Sequence, residues 1–188
     1  MKSFEQFVNE KLAQRVDWDA YARKVADAYE AAPLFDKSVT KHWDALSQSN
    51  HTLYKRMLSK IKIENVTDDP YPDQATMKKD VEKTGILKVY TGDSEHPYWS
   101  VEDNLVFRAV HDYITHILTD TPFGLHGELR AVNTHMKMST PEAWPALFTE
   151  TAAQTCVCIV TGKFPVQKVA VIDGFSYKEI GKTKEEKE

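Results

Sequence analysis

Histidines and acidic residues cluster between positions 111 and 154, in segments whose other residues are largely apolar. The cluster comprises His111, Asp112, His116, Glu128, His135 and Glu150, and the polar amide Gln154 lies at its end. Imidazole and carboxylate groups together are typical ligands of zinc or iron(II). Because an unpaired buried charge is costly, side chains of this kind on the inner faces of helices need either a cation or a closed hydrogen-bond network. A di-iron carboxylate bundle is disfavoured, since the Glu-x-x-His pairs that it needs are missing.

The spacing within the first of these segments constrains how its side chains meet. Asp112 and His116 are four residues apart and share one face of a helix. His111 and His116 are five residues apart, about 140° around an ideal α-helix. A local π-bulge would bring the two histidines together, and such bulges are frequent at functional sites.

The residues His111-Asp112-x-x-x-His116 resemble the His-Glu-x-x-x-His zinc motif of dipeptidyl peptidase III. In that family both histidines bind zinc, the acidic residue is the general base, and a later helix supplies a glutamate ligand. The resemblance implies that Asp112 is the base and that Glu150 is the third ligand. Asp112 is one methylene shorter than Glu, and the alternative role for it is to orient His116 or another ligand.

We therefore predict that His111, His116 and Glu150 converge on one metal ion, with zinc favoured over iron(II). Three helices joined by short connections must pack as neighbours, which would bring their polar faces together. Glu128 and His135 are predicted as neighbours of the ligands or as alternative ligands. The opposing hypothesis is a structural network, in which Glu128 stabilises a helix N-terminus and Gln154 pairs with Glu150.

The same region resembles a family of tailed-phage proteins that has no established activity. The shared features are residues 104–112 (Asn-Leu-Val-Phe-Arg-Ala-Val-His-Asp), Gly127-Glu128, His135, Ala146-Leu147, Thr149-Glu150-Thr151 and Gln154. The resemblance covers most of residues 20–165 and implies a phage origin.

The first ten residues form a short amphipathic pattern, with Phe4, Phe7 and Val8 on one face. They resemble the capsid-targeting sequence of internal head proteins of T-even-type phages, which ends at an apolar-x-Glu site cut by the prohead protease. Val8-Asn9-Glu10 matches that site, so the resemblance implies a mature chain that starts at Lys11. The rival interpretation is an ordinary first helix docked on the domain.

This resemblance implies the prohead protease, the capsid interior and an unknown host protein as partners, and the virion interior followed by the host cytoplasm as locations. Two functions remain open. One is a metal-dependent hydrolase that is packaged in the head and delivered to the host. The other is a non-enzymatic internal head protein whose His/Glu cluster is a structural polar network.

The composition is that of a folded globular chain. The 188 residues are 41% hydrophobic and 28% charged, with a formal net charge of −4. The sequence contains neither a Lys/Arg-rich stripe nor an apolar run of bilayer-spanning length, so no nucleic-acid or membrane partner is predicted. The length suits one core. We predict a single domain over residues 11–175, preceded by the segment 1–10 and followed by a charged tail over 176–188.

Hydrophobic periodicity and capping residues predict an α+β fold that is mainly helical, a helix bundle with a small two- or three-stranded β-ribbon. The predicted helices span about 18–31, 36–47, 51–59, 75–83, 100–118, 127–138 and 140–160. The predicted strands span 60–66, 86–90 and 166–172.

Overall fold

A computed structural model describes residues 17–172, and it is mainly helical with one small sheet. The helices are α1 (Trp18–Ala31), α2 (Thr40–Met57), α3 (Gln74–Thr84), α4 (Val101–His111), α5 (Leu125–Met138), α6 (Trp144–Phe148) and α7 (Gln154–Thr161). The strands are β1 (Lys62–Val66) and β2 (Ile86–Tyr90). Short 3₁₀ turns, Lys37–Val39 and Pro141–Ala143, lead into α2 and α6. The prediction of a mainly helical α+β fold is confirmed.

Two helices continue as π-helical segments, and both segments carry polar residues of the predicted site. The segment Asp112–Ile117 extends α4, and Thr149–Ala153 joins α6 to α7. Both segments contact α5, so this helix lies between the two polar stretches.

The larger core lies where α1, α2 and α5 pack against the α6–α7 segment. Its largest fully buried side chains include Trp43, Tyr29 and Phe148. The apolar spacing of α1 and the Asp17 cap, which accepts a hydrogen bond from the backbone of Ala20, explain why this first helix forms where the sequence predicts it.

A second core lies beneath the sheet. Strands β1 and β2 are parallel, with Lys62 opposite Ile86 and Val66 opposite Tyr90. Helix α3 crosses between the two strands, as parallel pairing requires. It ends at Gly85 in the left-handed conformation (φ 69°), where glycine is favoured. The inner face of this unit packs on α2 and α4.

Three local predictions differ from the structure. The two helices predicted over 36–47 and 51–59 are one continuous helix, α2 (Thr40–Met57), and Asn50 lies buried within it and bonds His135 on α5. The two strands are a parallel pair joined through a helix, not a ribbon. Residues 166–172 contain no strand, and Val169 instead makes a single bridge to Phe35.

The predicted segments 1–10 and 176–188 lie outside the described residues. Within residues 17–172, no helix has the length and apolar character needed to cross a membrane.

Candidate metal centre

The π-helical segment after α4 brings the two predicted histidines together. In a π-helix each backbone N–H bonds the carbonyl five residues earlier. Leu118 N–H bonds the carbonyl of Tyr113 in this way, at 2.9 Å. Residues five apart then lie on one side, and the His111 and His116 rings have centroids 5.1 Å apart. The π-bulge considered from the spacing is therefore present.

Glu128, in the first turn of α5, completes the group. One of its oxygens lies 3.3 Å from Nε2 of His111, and the other lies 3.3 Å from Nε2 of His116. The side chains of His111, His116 and Glu128 are 10%, 2% and 15% exposed, so the group is mostly shielded from water. Among the described residues, these three form the one group of His, Cys, Asp and Glu ligands close enough to hold a metal ion.

The nitrogen–oxygen separations suit a shared ion. Zinc binds histidine nitrogen and carboxylate oxygen at about 2.0–2.2 Å, so neighbouring ligand atoms of a tetrahedral site lie about 3.3 Å apart. An N–H···O hydrogen bond is usually shorter, about 2.9 Å. These two separations are compatible with a shared ion, and all three ligand atoms lie within 4.8 Å of one another.

The hydrogen bond at the other nitrogen of His116, Nδ1, sets the tautomer of this ring. Its Nδ1 lies 2.7 Å from the backbone carbonyl of Thr121, which can only accept, so Nδ1 carries a proton. In the neutral ring Nε2 then presents a lone pair towards Glu128. Metal-binding histidines characteristically donate their second N–H to a carbonyl or carboxylate in this way.

Gly127 allows the loop before α5 to reach His116. A Cβ atom at this position would overlap the carbonyl oxygen of Pro122, so only glycine permits the close approach. The loop places the Thr121 carbonyl on His116 Nδ1, and the ring of Phe123 meets the His116 ring edge-on at 4.8 Å. The dipeptide Gly127-Glu128 thus positions both the loop and the carboxylate.

The electrostatics of the group favour a cation between its members. Burial by itself would raise the pKa of Glu128, but the hydrogen bonds and charges of His111 and His116 outweigh it and lower the pKa to about 2. Burial opposes protonation of His116, but the hydrogen bond and charge of Glu128, the Thr121 carbonyl and the charge of Asp112 together outweigh burial and raise the pKa of His116. Two lone-pair nitrogens facing a carboxylate repel it unless a proton or a metal ion lies between them.

Asp112, the predicted base, lies beside the three converging side chains and is not one of them. Burial raises the pKa of this carboxyl above its ordinary value, and the nearby charges of His111 and His116 offset part of the effect. No described residue hydrogen-bonds to its carboxylate. Its interactions with the centre are therefore those of charge, with His111, His116 and Glu128.

His135 lies on the inner side of His111, with ring centroids 5.8 Å apart. It is completely buried, and its Nε2 lies 2.9 Å from Oδ1 of Asn50. Burial, together with the charge of His111, holds the pKa of His135 well below its ordinary value. His135 is thus a neutral neighbour of the centre and is outside the ligand group.

Glu150, the predicted third ligand, also lies outside this group. Its Oε1 accepts hydrogen bonds from Nε1 of Trp43 at 2.7 Å and from Nε2 of His96 at 3.0 Å. Its Oε2 accepts from the Gln154 amide at 2.8 Å, the pairing that the structural hypothesis included. The second π-helical segment directs Glu150 towards α2 and the loop before α4, and Glu128 occupies the position predicted for Glu150.

His96 is a buried polar residue that the sequence did not reveal. Its Nδ1 accepts hydrogen bonds from the backbone N–H groups of Tyr98 and Trp99, at 3.1 and 2.8 Å. The proton of the neutral ring is therefore on Nε2, which donates to Glu150. His96 lies in a loop with no helical or strand periodicity, so no local signal marks it as a buried residue.

The chain matches no protein-family model, no curated protein and no solved structure.

Proposed function

We propose that the protein is a metal-dependent hydrolase that holds a divalent transition-metal ion, zinc before iron(II), through His111, His116 and Glu128. The observation that carries the proposal is the arrangement of the two Nε2 atoms, each 3.3 Å from a different oxygen of Glu128. Two histidines and one carboxylate are a ligand set found in zinc hydrolases and in iron(II) oxygenases.

The chemistry follows from the number of ligands. Zinc with three protein ligands keeps a position for water and lowers the pKa of that water to about 7. Asp112, which directly follows His111 in the chain, would accept the proton of this water or orient it for attack on a carbonyl or phosphoryl centre. The carboxylate of Asp112 has no competing hydrogen bond among the described residues.

The structural alternative fits the Glu150 cluster better than it fits the proposed centre. The three side chains that hydrogen-bond to Glu150 all donate, so its carboxylate is satisfied without an ion. At the centre, by contrast, Nδ1 of His111 is buried and has no hydrogen-bond partner. The hydrogen bonds at the centre are therefore not complete among the described side chains, whereas those of Glu150 are.

Metal analysis and hydrolysis assays test the proposal. The purified protein is expected to retain about one equivalent of zinc and to hydrolyse p-nitrophenyl acetate or bis-p-nitrophenyl phosphate. Activity should vanish with a chelator and return with zinc. Glu128→Gln should lose both metal and activity. Asp112→Asn should keep the metal but lose about 10²–10⁴-fold in rate, as expected for a lost proton acceptor.

Glu142→Gln is the matched control, because this carboxylate is half exposed and bonds Lys41 at the surface. Failure of the wild-type protein to bind zinc or iron(II) would overturn the metal centre. Metal binding without hydrolysis of either probe would overturn the hydrolase assignment and leave the metal centre standing.

We also propose that the protein is an internal head protein of a phage, delivered to the host cytoplasm, with residues 1–10 as a cleavable capsid-targeting segment. Support comes from the sequence alone: Phe4, Phe7 and the Val8-Asn9-Glu10 site, together with the phage-like pattern over residues 104–154.

Incubation with a T-even-type prohead protease tests this second proposal. Mass spectrometry is expected to show loss of residues 1–10 from the full chain, and Glu10→Gln should remain uncut because the protease reads an apolar-x-Glu site. Glu5→Gln, a change of the same kind inside the segment, should be cut normally. An intact wild-type chain would contradict the proposal.

A further inference from the structure

Two ring nitrogens on the inner side of the metal centre have no hydrogen-bond partner. They are Nδ1 of His111 and Nδ1 of His135, and both atoms are buried. A buried polar atom without a partner costs about 1–3 kcal/mol, so such atoms are usually paired directly or through water. Their rings are neighbours, at a centroid separation of 5.8 Å and a tilt of 37°.

Packing holds the two rings in place. The ring of His135 stacks on Phe107 with centroids 6.0 Å apart and planes 16° apart. The ring of Phe107 also lies 6.0 Å from that of His111. Phe107 and His111 are four residues apart on α4, so the contact is built into the helix.

The protons of the two rings can be assigned from their other contacts. Oδ1 of Asn50 can only accept, so Nε2 of His135 carries the proton of that ring and Nδ1 is an acceptor. His111 must keep Nε2 unprotonated to bind a metal, so its proton is on Nδ1. Nδ1 of His111 is therefore a hydrogen-bond donor, and Nδ1 of the neighbouring His135 is an acceptor.

We propose that His135 and Asn50 are a positioning pair that orients His111 for metal binding, an inference that rests on the proposed function. In the proposed chain of hydrogen bonds, Nδ1–H of His111 donates to Nδ1 of His135, and Nε2–H of His135 donates to Oδ1 of Asn50. The first link closes by a small shift of the rings or through one buried water that accepts from His111 and donates to His135. Asn50, which is not a ligand, thereby fixes the tautomer of His111 through His135.

Zinc affinity, measured by competition with a chromophoric chelator, tests the pair. His135→Phe keeps an aromatic ring against Phe107 and should weaken zinc binding about 10–100-fold, the usual effect of removing a partner of a metal ligand. Asn50→Leu removes the acceptor and should weaken binding by a similar factor. Asn50→Asp, which can only accept, should retain the wild-type affinity because it holds His135 in the same tautomer.

A second measurement separates positioning from packing. Long-range ¹H–¹⁵N NMR of the imidazoles should show the Nε2–H tautomer of His135 in the wild type and in Asn50→Asp, and a mixture in Asn50→Leu. Val132→Ala, a truncation of a buried residue on the same helix, should lower stability without changing zinc affinity.

The outcomes distinguish this inference from the function on which it rests. If His111→Ala abolishes zinc binding but His135→Phe binds as the wild type does, the positioning pair is overturned and the metal centre stands. Equal weakening by Asn50→Asp and Asn50→Leu would also overturn the pair. If the wild type binds no zinc, the metal centre and the pair both fail.

Discussion

Zinc added to the metal-free protein at about 100 times its Kd is expected to stabilise the fold by about 2.7 kcal/mol, because the ion binds the native state selectively. For a chain of this size the melting temperature should rise by about 5–10 °C. The reason is geometric: His111 and His116 lie on the segment after α4, and Glu128 lies on α5, so the ion would join two helices. Differential scanning calorimetry measures the shift.

His116→Phe should abolish this shift, measured against its own metal-free form. The replacement fills a buried position beside Phe123 with an apolar ring that cannot bind the ion. His126→Ala is the matched histidine control, since His126 is exposed and packs on Trp18, and it should keep the shift. Magnesium should not change the melting temperature of the wild-type protein, because it prefers oxygen ligands. A zinc-induced rise in the melting temperature of His116→Phe as large as that of the wild type would contradict the proposed metal centre.

The elements that could be predicted from the sequence are those set by local signals. Helix α1 begins after the Asp17 cap, and α3 ends at Gly85, at the bounds that the caps and periodicity indicate. The π-bulge after α4 was also accessible, because two histidines five residues apart can share a side only if the helix is locally widened. Each of these features depends on neighbours within one or two helical turns.

The features that the sequence did not yield depend on residues far apart in the chain. Asn50 has the chemistry of a helix cap, and only its contact with His135, 85 residues away, explains why α2 runs through it. The parallel pairing of β1 and β2 is different. It could have been predicted from the order strand, helix, strand, because a helical crossover joins parallel strands.

The choice between two carboxylates illustrates the same limit at the site. Glu128 and Glu150 both lie on helices that follow His116, and their types alone do not rank them as ligands. The decision comes from a loop that brings His96 to Glu150, 54 residues away. The one local signal favouring Glu128 is Gly127 beside it, which lets the preceding loop approach the helix and hold His116.

Glu150→Ala is expected to lower the free energy of unfolding by about 3–5 kcal/mol, because three buried neutral donors lose the acceptor that they share. The carboxylate is 3% exposed and accepts from Trp43, His96 and Gln154. Truncation leaves these donors buried and unpaired, each at a cost of about 1–3 kcal/mol before relaxation. Urea unfolding followed by tryptophan fluorescence measures the change.

Zinc binding separates the two roles that have been considered for Glu150. Because its oxygens are committed to three donors, the folded Glu150→Ala protein should bind zinc with unchanged affinity, whereas Glu128→Ala should lose zinc. Glu142→Ala, at a half-exposed surface pair, should change stability by less than about 1 kcal/mol. Loss of zinc affinity in a folded Glu150→Ala protein would return Glu150 to the ligand set. Large destabilisation with unchanged zinc affinity would instead assign Glu150 a structural role, in which it holds the His96 loop on the core. Glu128 would then be the carboxylate that binds the metal.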